Sequence, residues 1–155
     1  MENNEPRGDI LVESSNLKPI NASKKYYVNS TDEYPILFII AALTKGVSKF
    51  YGIAELANKE SNRIKEMQKI IAQVGVKSIS TKNSIKIYGK GILKTNKKKI
   101  LVKKLGDHRI CMSSFILAIL TGTKMEIKNF ETVNTSSPSF LKIMRNLGAS
   151  FEVQK

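Results

Sequence analysis

The sequence predicts a mixed α/β domain (α/β or α+β) in which helices pack against one side of a sheet. Two apolar runs, 36–43 and 110–120, have no polar face and therefore predict helices that are buried on most sides. The segment 84–89 alternates apolar and polar residues, as a strand does. Because such elements alternate within 155 residues, of which 41% are hydrophobic, we expect a single domain covering residues 1–155.

Two stretches of the chain, 31–80 and 107–154, follow one pattern. Each predicts an apolar helix, a glycine, a strand, a polar loop, a second helix, another glycine and a final strand. The matching glycines are Gly46 with Gly122 and Gly75 with Gly148. Their spacing of about 75 residues is long for a solenoid repeat and indicates two copies of one supersecondary unit.

The second helix of each unit is predicted from its apolar stripe and its end signals. In the helix 61–74 the stripe consists of Ile64, Met67, Ile70, Ile71 and Val74. Gly75 and Gly148 stand where a helix would end. The last helix is expected to open with Ser136 or Ser137 as its cap and Pro138 in its first turn.

Two further segments lie between the units. The segments 84–89 and 98–104 both alternate with period two, and they flank a turn rich in glycine, lysine and asparagine. This arrangement is typical of a β-hairpin. We therefore expect these two strands to be neighbours in one sheet.

Composition excludes several classes of protein. Cys111 is the only cysteine, so an internal disulfide cannot form, and one cysteine with one histidine cannot build a usual zinc site. We expect no metal and no membrane partner, because no apolar run approaches the length of a membrane span. The polar start "MENNEPRGD" differs from a secretory signal, which predicts a cytoplasmic protein.

The formal net charge of +13 is weak evidence for nucleic-acid binding and leaves a basic face for a small anionic ligand open. Lysine supplies most of the excess and is spread along the chain, with one dense cluster, "KTNKKK" at 94–99. Arginine is scarce, yet Arg63 and Arg109 both stand in polar clusters at predicted helix starts. A guanidinium can bind a carboxylate or phosphate through two parallel hydrogen bonds, which lysine cannot do.

Three polar clusters precede or open predicted helices, at 32–33, 59–63 and 107–109. Each has a structural explanation when taken alone. Asp32 and Asp107 would serve as helix caps, and Glu60 with Arg63 would form a weak surface ion pair. A lone histidine such as His108 is more often a packed residue than a catalyst.

Taken together, the three clusters indicate a site that binds anions and exchanges protons. Arg63 and Arg109 can bind anions at helix N-termini, while Asp32, Glu60 and His108 can exchange protons. No glycine-rich phosphate loop, dinucleotide fingerprint or nucleophilic triad is present in the sequence. The residues alone therefore predict an anionic-ligand site with acid and base groups.

The same clusters carry a family resemblance over nearly the whole chain. "ELANKESNRI" (55–64) and "GDHRICMSSFILA" (106–118) resemble the "ELRxKESDRI" and "DHRIAMAFxxA" elements of the EPSP synthases, the 3-phosphoshikimate 1-carboxyvinyltransferases. "TDEYPILFIIAALTKG" (31–46), "VNTSSPSFLKIMRNLGA" (133–149) and "NEPRGDILVESSNLKPI" (4–20) are similar to three further elements of that family, in the same order.

The resemblance implies a part of the C-terminal domain of the enolpyruvyl transferase fold. It also implies transfer of the carboxyvinyl group of phosphoenolpyruvate to the 5-hydroxyl of shikimate 3-phosphate, in the pathway to chorismate and the aromatic amino acids. No metal or organic cofactor takes part in the family reaction. A tetrahedral intermediate forms, so the site must protonate a methylene carbon and deprotonate a hydroxyl.

The family's functional residues match positions in this chain. Asp32 corresponds to the aspartate that contacts shikimate and takes part in proton transfer, and Glu60 corresponds to the proton-transfer glutamate. Lys59 corresponds to a shikimate-side lysine. Arg63 and Arg109 correspond to the arginines that hold phosphoenolpyruvate. His108 stands beside Arg109 and is assigned to the catalytic group with Asp32 and Glu60.

The chain departs from the family at some motif positions and lacks others. Ala57 replaces an arginine, Asn62 an aspartate and Ser137 a phenylalanine. Nothing resembles the family's "GSKSxSxR" and "GNxGT" loops or its serines for the shikimate phosphate. Family enzymes are well over twice as long, so this chain corresponds to about two units of one domain and half of the cleft.

Two functions follow from these observations. The first is an EPSP synthase-like transferase, truncated or encoded as a split gene, inactive alone and completed by a separately encoded N-terminal half. The second is a basic module that reuses the fold to bind RNA or acidic metabolites. The acid and base residues favour the first, and the lack of a stacking-aromatic motif disfavours RNA.

Overall fold

The computed structural model describes residues 8–91 and 99–153. The strands are β1 (Asn21–Ala22), β2 (Gly46–Tyr51), β3 (Lys77–Ser80), β4 (Ser84–Gly89), β5 (Ile100–Val102) and β6 (Met125–Ile127). The α-helices are α1 (Lys24–Ser30), α2 (Tyr34–Ala42), α3 (Arg63–Gln73), α4 (His108–Thr121) and α5 (Phe140–Asn146). Short 3-10 helices span Thr31–Glu33, Ala54–Asn58 and Phe130–Thr135.

The main sheet has four strands in the order β1-β2-β4-β3, with β1 parallel to β2 and the other pairs antiparallel. Phe50, Ile85 and Ile87 point to the helices and are fully buried. Lys49 and Lys86 are opposite each other on the uncovered face. Helices therefore cover one side of a sheet, and the predicted mixed α/β fold is confirmed.

The predicted hairpin between 84–89 and 98–104 is wrong. β4 has β2 and β3 as its two neighbours, so neither of its edges is open to β5. β5 instead pairs in parallel with β6, as a separate two-stranded sheet. The hairpin that forms joins β3 to β4, where Thr81 N donates to Ser84 O at 2.9 Å. The expected turn at 92–98 lies outside the described residues.

The two apolar helices differ in how completely they are covered. α2 buries Phe38 and Ile39 fully, and the rings of Phe38, Tyr34 and Phe50 pack edge to face. α4 buries its first half, but Ile119 and Leu120 near its end are exposed. Burial on most sides thus holds for α2, whereas α4 has an open face toward its C-terminus.

The second unit is shorter than the sequence pattern predicts. α5 begins at Phe140, with Ser139 as the preceding residue, so the expected cap at Ser136 or Ser137 is wrong. Ser137 is used in a turn, in which its carbonyl accepts from Phe140 N at 3.0 Å. The predicted last strand is also wrong, since residues 149–153 form none; Phe151 packs on Phe115 instead of joining a sheet.

Cys111 lies at the first half of α4 and is fully buried, as its apolar surroundings predict. Burial raises the pKa of its thiol to about 12, and the negative charges of Asp107 and Glu131 add to the effect. The thiol is therefore protonated and inert in the folded chain. Among the described residues, no helix has the length and apolar content to cross a membrane.

Several apolar side chains remain uncovered. The segment before β1 is extended, and Ile10, Leu11 and Val12 are 85–88% exposed. Ile119 and Leu120 on α4 add a second apolar surface. Exposed apolar groups of this kind can mark contacts with other proteins or drive association.

We therefore expect the isolated chain to self-associate and to be marginally stable. Light scattering during size-exclusion chromatography should show a mass that rises with protein concentration, because burial of these apolar groups favours association. Thermal unfolding should be broad. A sharp, cooperative transition of a strictly monomeric species would contradict this prediction.

Candidate active site

Three polar segments that are distant in sequence meet at one place. They are the 3-10 helix Thr31–Glu33 before α2, the residues 59–62 before α3, and the first turn of α4. The helices α2, α3 and α4 contact one another, and hydrogen bonds join residues at their N-terminal ends. Each of the three predicted clusters contributes to this site.

Arg63 is the centre of the site. It is the first residue of α3, and its side chain is fully buried. Nε donates to Asp107 Oδ2 at 3.0 Å, Nη1 to Asp32 Oδ1 at 3.0 Å, and Nη2 to Glu60 Oε2 at 2.6 Å. Burial lowers the pKa of Arg63, but the hydrogen bonds to Asp107 and Asp32 outweigh it and the pKa is raised.

Asp107 is the buried partner of this arginine and the cap of α4. Its Oδ1 accepts from the backbone N–H groups of Arg109 at 3.1 Å and Ile110 at 3.3 Å. Its Oδ2 accepts from Ser61 Oγ at 2.8 Å in addition to Arg63 Nε. The helix-cap interpretation is therefore correct but incomplete. Sequence reasoning left Asp107 out of the site residues, although its place in the 107–109 cluster was a usable signal.

Arg109 lies nearer to solvent, with 29% of its side chain exposed. Its Nη1 donates to the Asp32 carbonyl oxygen at 3.1 Å and to Glu33 Oε1 at 3.2 Å, while Nη2 lies 3.3 Å from Asp32 Oδ2. A groove opens beside it, lined by Asp32, Glu33, Ile36, Arg109, Met112, Ser113, Ile116 and Phe140. Its lining combines charged side chains with apolar ones.

Asp32 joins the two arginines. The hydrogen bond from Arg63 lowers the pKa of its carboxyl, against the opposing effect of burial, and the charge of Arg109 lowers it further. Half of its side chain, 50%, is exposed, as is 46% of the Glu60 side chain. Both carboxylates therefore touch solvent on one side and the buried guanidinium on the other.

The lowered pKa of Asp32 makes stability dependent on pH. Its folded value lies below the unfolded value of about 3.9, so its contribution is present above about pH 4 and is lost as the pH falls through the folded pKa. Urea unfolding near pH 6 and near pH 3 should show a larger loss of stability for the parent than for Asp32→Asn. Parallel losses in the two proteins would contradict this assignment.

The other two predicted site residues sit at the edge of this network. Lys59 is exposed, and its charge helps to lower the pKa of Asp32. His108 is the first residue of α4 and is partly buried. The substrate-side role of Lys59 and the catalytic role of His108 remain predictions. Within residues 8–91 and 99–153, no cluster of three His, Cys, Asp or Glu residues is arranged to hold a metal ion.

Comparison with known proteins identifies the family of this chain. The family model described as EPSP synthase (3-phosphoshikimate 1-carboxyvinyltransferase) matches residues 3–144, which is most of the chain. This chain belongs to the EPSP synthase family. The resemblance predicted from the sequence motifs is thereby confirmed.

Individual relatives show how much of an EPSP synthase is present. The chain is 34% identical to the 3-phosphoshikimate 1-carboxyvinyltransferase of Acidiphilium cryptum, covering 96% of this chain and 32% of that protein. It is 39% identical to the protein of the same name from Campylobacter jejuni, with coverage of 94% and 32%. The chain thus spans about a third of the length of the relatives it matches.

Solved structures agree. The structure of EPSP synthase from Acinetobacter baumannii superposes with a TM-score of 0.75 at 32% identity, over 90% of this chain and 32% of that one. The enolpyruvyl transferase NikO from Streptomyces tendae gives a TM-score of 0.57 at 14% identity and covers 26% of that chain, which supports the fold alone. The described residues therefore adopt part of the enolpyruvyl transferase fold.

Proposed function

We propose that this chain forms one wall of an EPSP synthase active site and contributes to carboxyvinyl transfer from phosphoenolpyruvate to shikimate 3-phosphate. The observation that carries the proposal is the convergence of Asp32, Glu60, Arg63 and Arg109 from three separate segments. A surface pair or an isolated helix cap would not require such convergence. The reaction is inferred from family membership. The arginines of the network are suited to binding anions, and its carboxylates are suited to proton transfer.

The proposed chemistry needs anion binding and two proton transfers. The 5-hydroxyl of shikimate 3-phosphate adds to C2 of phosphoenolpyruvate as it loses its proton, and the methylene carbon gains one. The resulting tetrahedral intermediate then loses phosphate and a methyl proton, which restores the double bond. Asp32 and Glu60 are carboxylates within reach of solvent, and His108 is next to Arg109, so these residues are the proposed acids and bases.

The two arginines are paired with the site's own carboxylates. A phosphoenolpyruvate anion would therefore have to compete with Asp32 and Glu33 for Arg109, which is the more exposed of the two arginines. Arg63 would be reached only after Asp32 or Glu60 moved aside. The proposed order of contact is Arg109 first and Arg63 second.

The departures from the family motifs are compatible with this arrangement. Asn62 caps α3, since its Oδ1 accepts from Lys65 N at 3.0 Å, and asparagine caps a helix as well as aspartate does. Ser137 forms the turn before α5. Ala57 lies in the 3-10 helix Ala54–Asn58, outside the arginine–carboxylate network. None of these substitutions removes a group from the network around Arg63.

The proposed function predicts weak and specific anion binding. In an NMR titration, phosphoenolpyruvate should bind in the millimolar range, about −4 kcal/mol. Arg109→Lys should weaken binding about tenfold although the charge is kept, because lysine cannot form the two parallel hydrogen bonds that a guanidinium makes to a carboxylate or phosphate. The matched control is Arg145→Lys. Arg145 lies on α5, outside the network, and its guanidinium is 4.7 Å from the centre of the Phe151 ring. Equal binding by Arg109→Lys and the parent would contradict the site assignment.

The alternative, a basic module for RNA or acidic metabolites, draws support from Lys49 and Lys86, which face each other on the uncovered side of the sheet. Of the lysine cluster 94–99, only Lys99 lies among the described residues. The alternative predicts that a short RNA binds more tightly than phosphoenolpyruvate and that affinity falls steeply with salt. Both Arg→Lys variants would then behave like the parent.

The proposed active site would be completed by the part of the EPSP synthase fold that this chain does not span. The chain spans about a third of its relatives, so we also propose that the rest of the EPSP synthase fold, supplied as a separately encoded N-terminal part, completes the cleft. The exposed apolar residues Ile10, Leu11 and Val12 belong to the matched family region and offer it a surface.

A further inference from the structure

We propose that Asp107 is a positioning residue that orients both arginines of the site without touching a ligand itself. It has no assigned role in the proposed reaction. Its two carboxylate oxygens bind two different elements, the start of α3 and the start of α4. Asp107 therefore links the side chain of Arg63 to the backbone of Arg109 at the start of α4.

The burial of Asp107 requires an explanation. A carboxylate with no exposed surface is costly unless its charge is paired and its lone pairs are satisfied. Asp107 receives four donors, namely Arg63 Nε, Ser61 Oγ and the backbone N–H groups of Arg109 and Ile110. Four donors match the four lone-pair positions of a carboxylate. The group is thus fully satisfied in one fixed orientation.

An ordinary helix cap needs much less. Asn62, the cap of α3, accepts only from Lys65 N and lies at the surface side of its helix. Asp107 does the same for α4 with Oδ1 alone. Its Oδ2 is not used for capping and serves Arg63 and Ser61. The second oxygen is the feature that a purely structural cap does not account for.

The bond to Nε decides which edge of Arg63 faces the site. With Nε held by Asp107, the terminal nitrogens Nη1 and Nη2 point to Asp32 and Glu60. Those two carboxylates are about half exposed and can be displaced, whereas Asp107 cannot. The arginine therefore presents its two-nitrogen edge, the edge that binds a carboxylate or phosphate in parallel, to the open side.

The test exchanges one oxygen of Asp107 for nitrogen. In Asp107→Asn the amide oxygen can still cap α4, but the amide nitrogen faces Arg63 Nε–H and cannot accept its hydrogen bond. The matched control is Glu131→Gln, the same chemical change at an exposed residue near α4. Both variants lose one negative charge, which by itself should strengthen the binding of an anion.

Two measurements are made. The first is phosphoenolpyruvate affinity by NMR titration: Asp107→Asn should bind about tenfold more weakly than the parent, opposite to the charge effect, while Glu131→Gln should bind equally or slightly better. The second needs no ligand. Solvent exchange of the Arg63 Nε–H proton should be about a hundredfold slower than that of exposed Arg145, and Asp107→Asn should remove this protection.

The outcomes separate this inference from the proposed function on which its ligand part rests. If the parent binds no phosphoenolpyruvate but Asp107→Asn alone loses the Nε–H protection, the proposed function fails and the positioning role stands. If the parent binds and Asp107→Asn binds equally or more tightly, the positioning role is overturned. Should Asp107→Asn not fold, rapid Nε–H exchange of Arg63 in the parent overturns it as well.

Discussion

Replacement of Arg63 by methionine is expected to lower the free energy of unfolding by about 3–5 kcal/mol. The change leaves the carboxylate of Asp107 fully buried without its charge partner, and removal of one member of a buried pair costs far more than the pair itself contributes. Because a domain of this size is stable by only about 5–15 kcal/mol, much of the protein should be unfolded at modest urea concentrations. Urea unfolding followed by circular dichroism at neutral pH measures the effect.

Two comparisons make this result interpretable. Arg145→Met, at an exposed arginine on α5, should change stability by no more than about 0.5 kcal/mol. The double variant Arg63→Met/Asp107→Asn should be more stable than Arg63→Met, because the amide can still cap α4 and no buried charge remains. A loss below about 1 kcal/mol for Arg63→Met would show that the buried network is not a main source of stability.

The purified chain alone should release no measurable phosphate from phosphoenolpyruvate and shikimate 3-phosphate. It spans 32% of its relatives and lacks the "GSKSxSxR" and "GNxGT" loops, so the substrates would meet only one wall of the cleft. Positioning of two reactants in the right geometry corresponds to an effective molarity on the order of 10⁵ M or more. Addition of the remaining two thirds of the Campylobacter jejuni relative, 39% identical to this chain where they align, should restore activity.

The complementation experiment has its own control. The same mixture made with Arg109→Lys should be strongly impaired, whereas the mixture with Arg145→Lys should match the parent. Phosphate release by the isolated chain that depends on shikimate 3-phosphate would overturn the prediction. Complementation that is insensitive to Arg109→Lys would instead remove this residue from the site.

Local patterns in the chain predict much of the fold. The apolar run at 36–43 and the amphipathic pattern at 61–74 agree with α2 and α3 to within a few residues, because helical period and end signals are properties of neighbouring residues. The helix α1 was not predicted, since its residues, "KKYYVNS", carry no helical stripe and bury only Tyr27. Its position depends on packing against the rest of the domain.

Local patterns did not predict which strands pair with one another. The segments 84–89 and 98–104 both carry a strand pattern, yet alternation does not specify the neighbour of a strand. β4 is enclosed by β2 and β3, and three residues of β5 pair with β6 after a long connection. The expected strand after Gly148 likewise has no partner strand among the described residues and remains irregular.

The candidate site likewise depends partly on local sequence and partly on tertiary packing. The sequence by itself indicated the family, and it predicted Asp32, Glu60, Arg63 and Arg109 as site residues because these stand in short motifs of fixed spacing. Only the tertiary structure decided that Arg63 is buried among three carboxylates and that its Nε donates to Asp107. Burial and pairing of charges depend on which helix ends meet, and residues 32, 63 and 107 meet only when α2, α3 and α4 pack together.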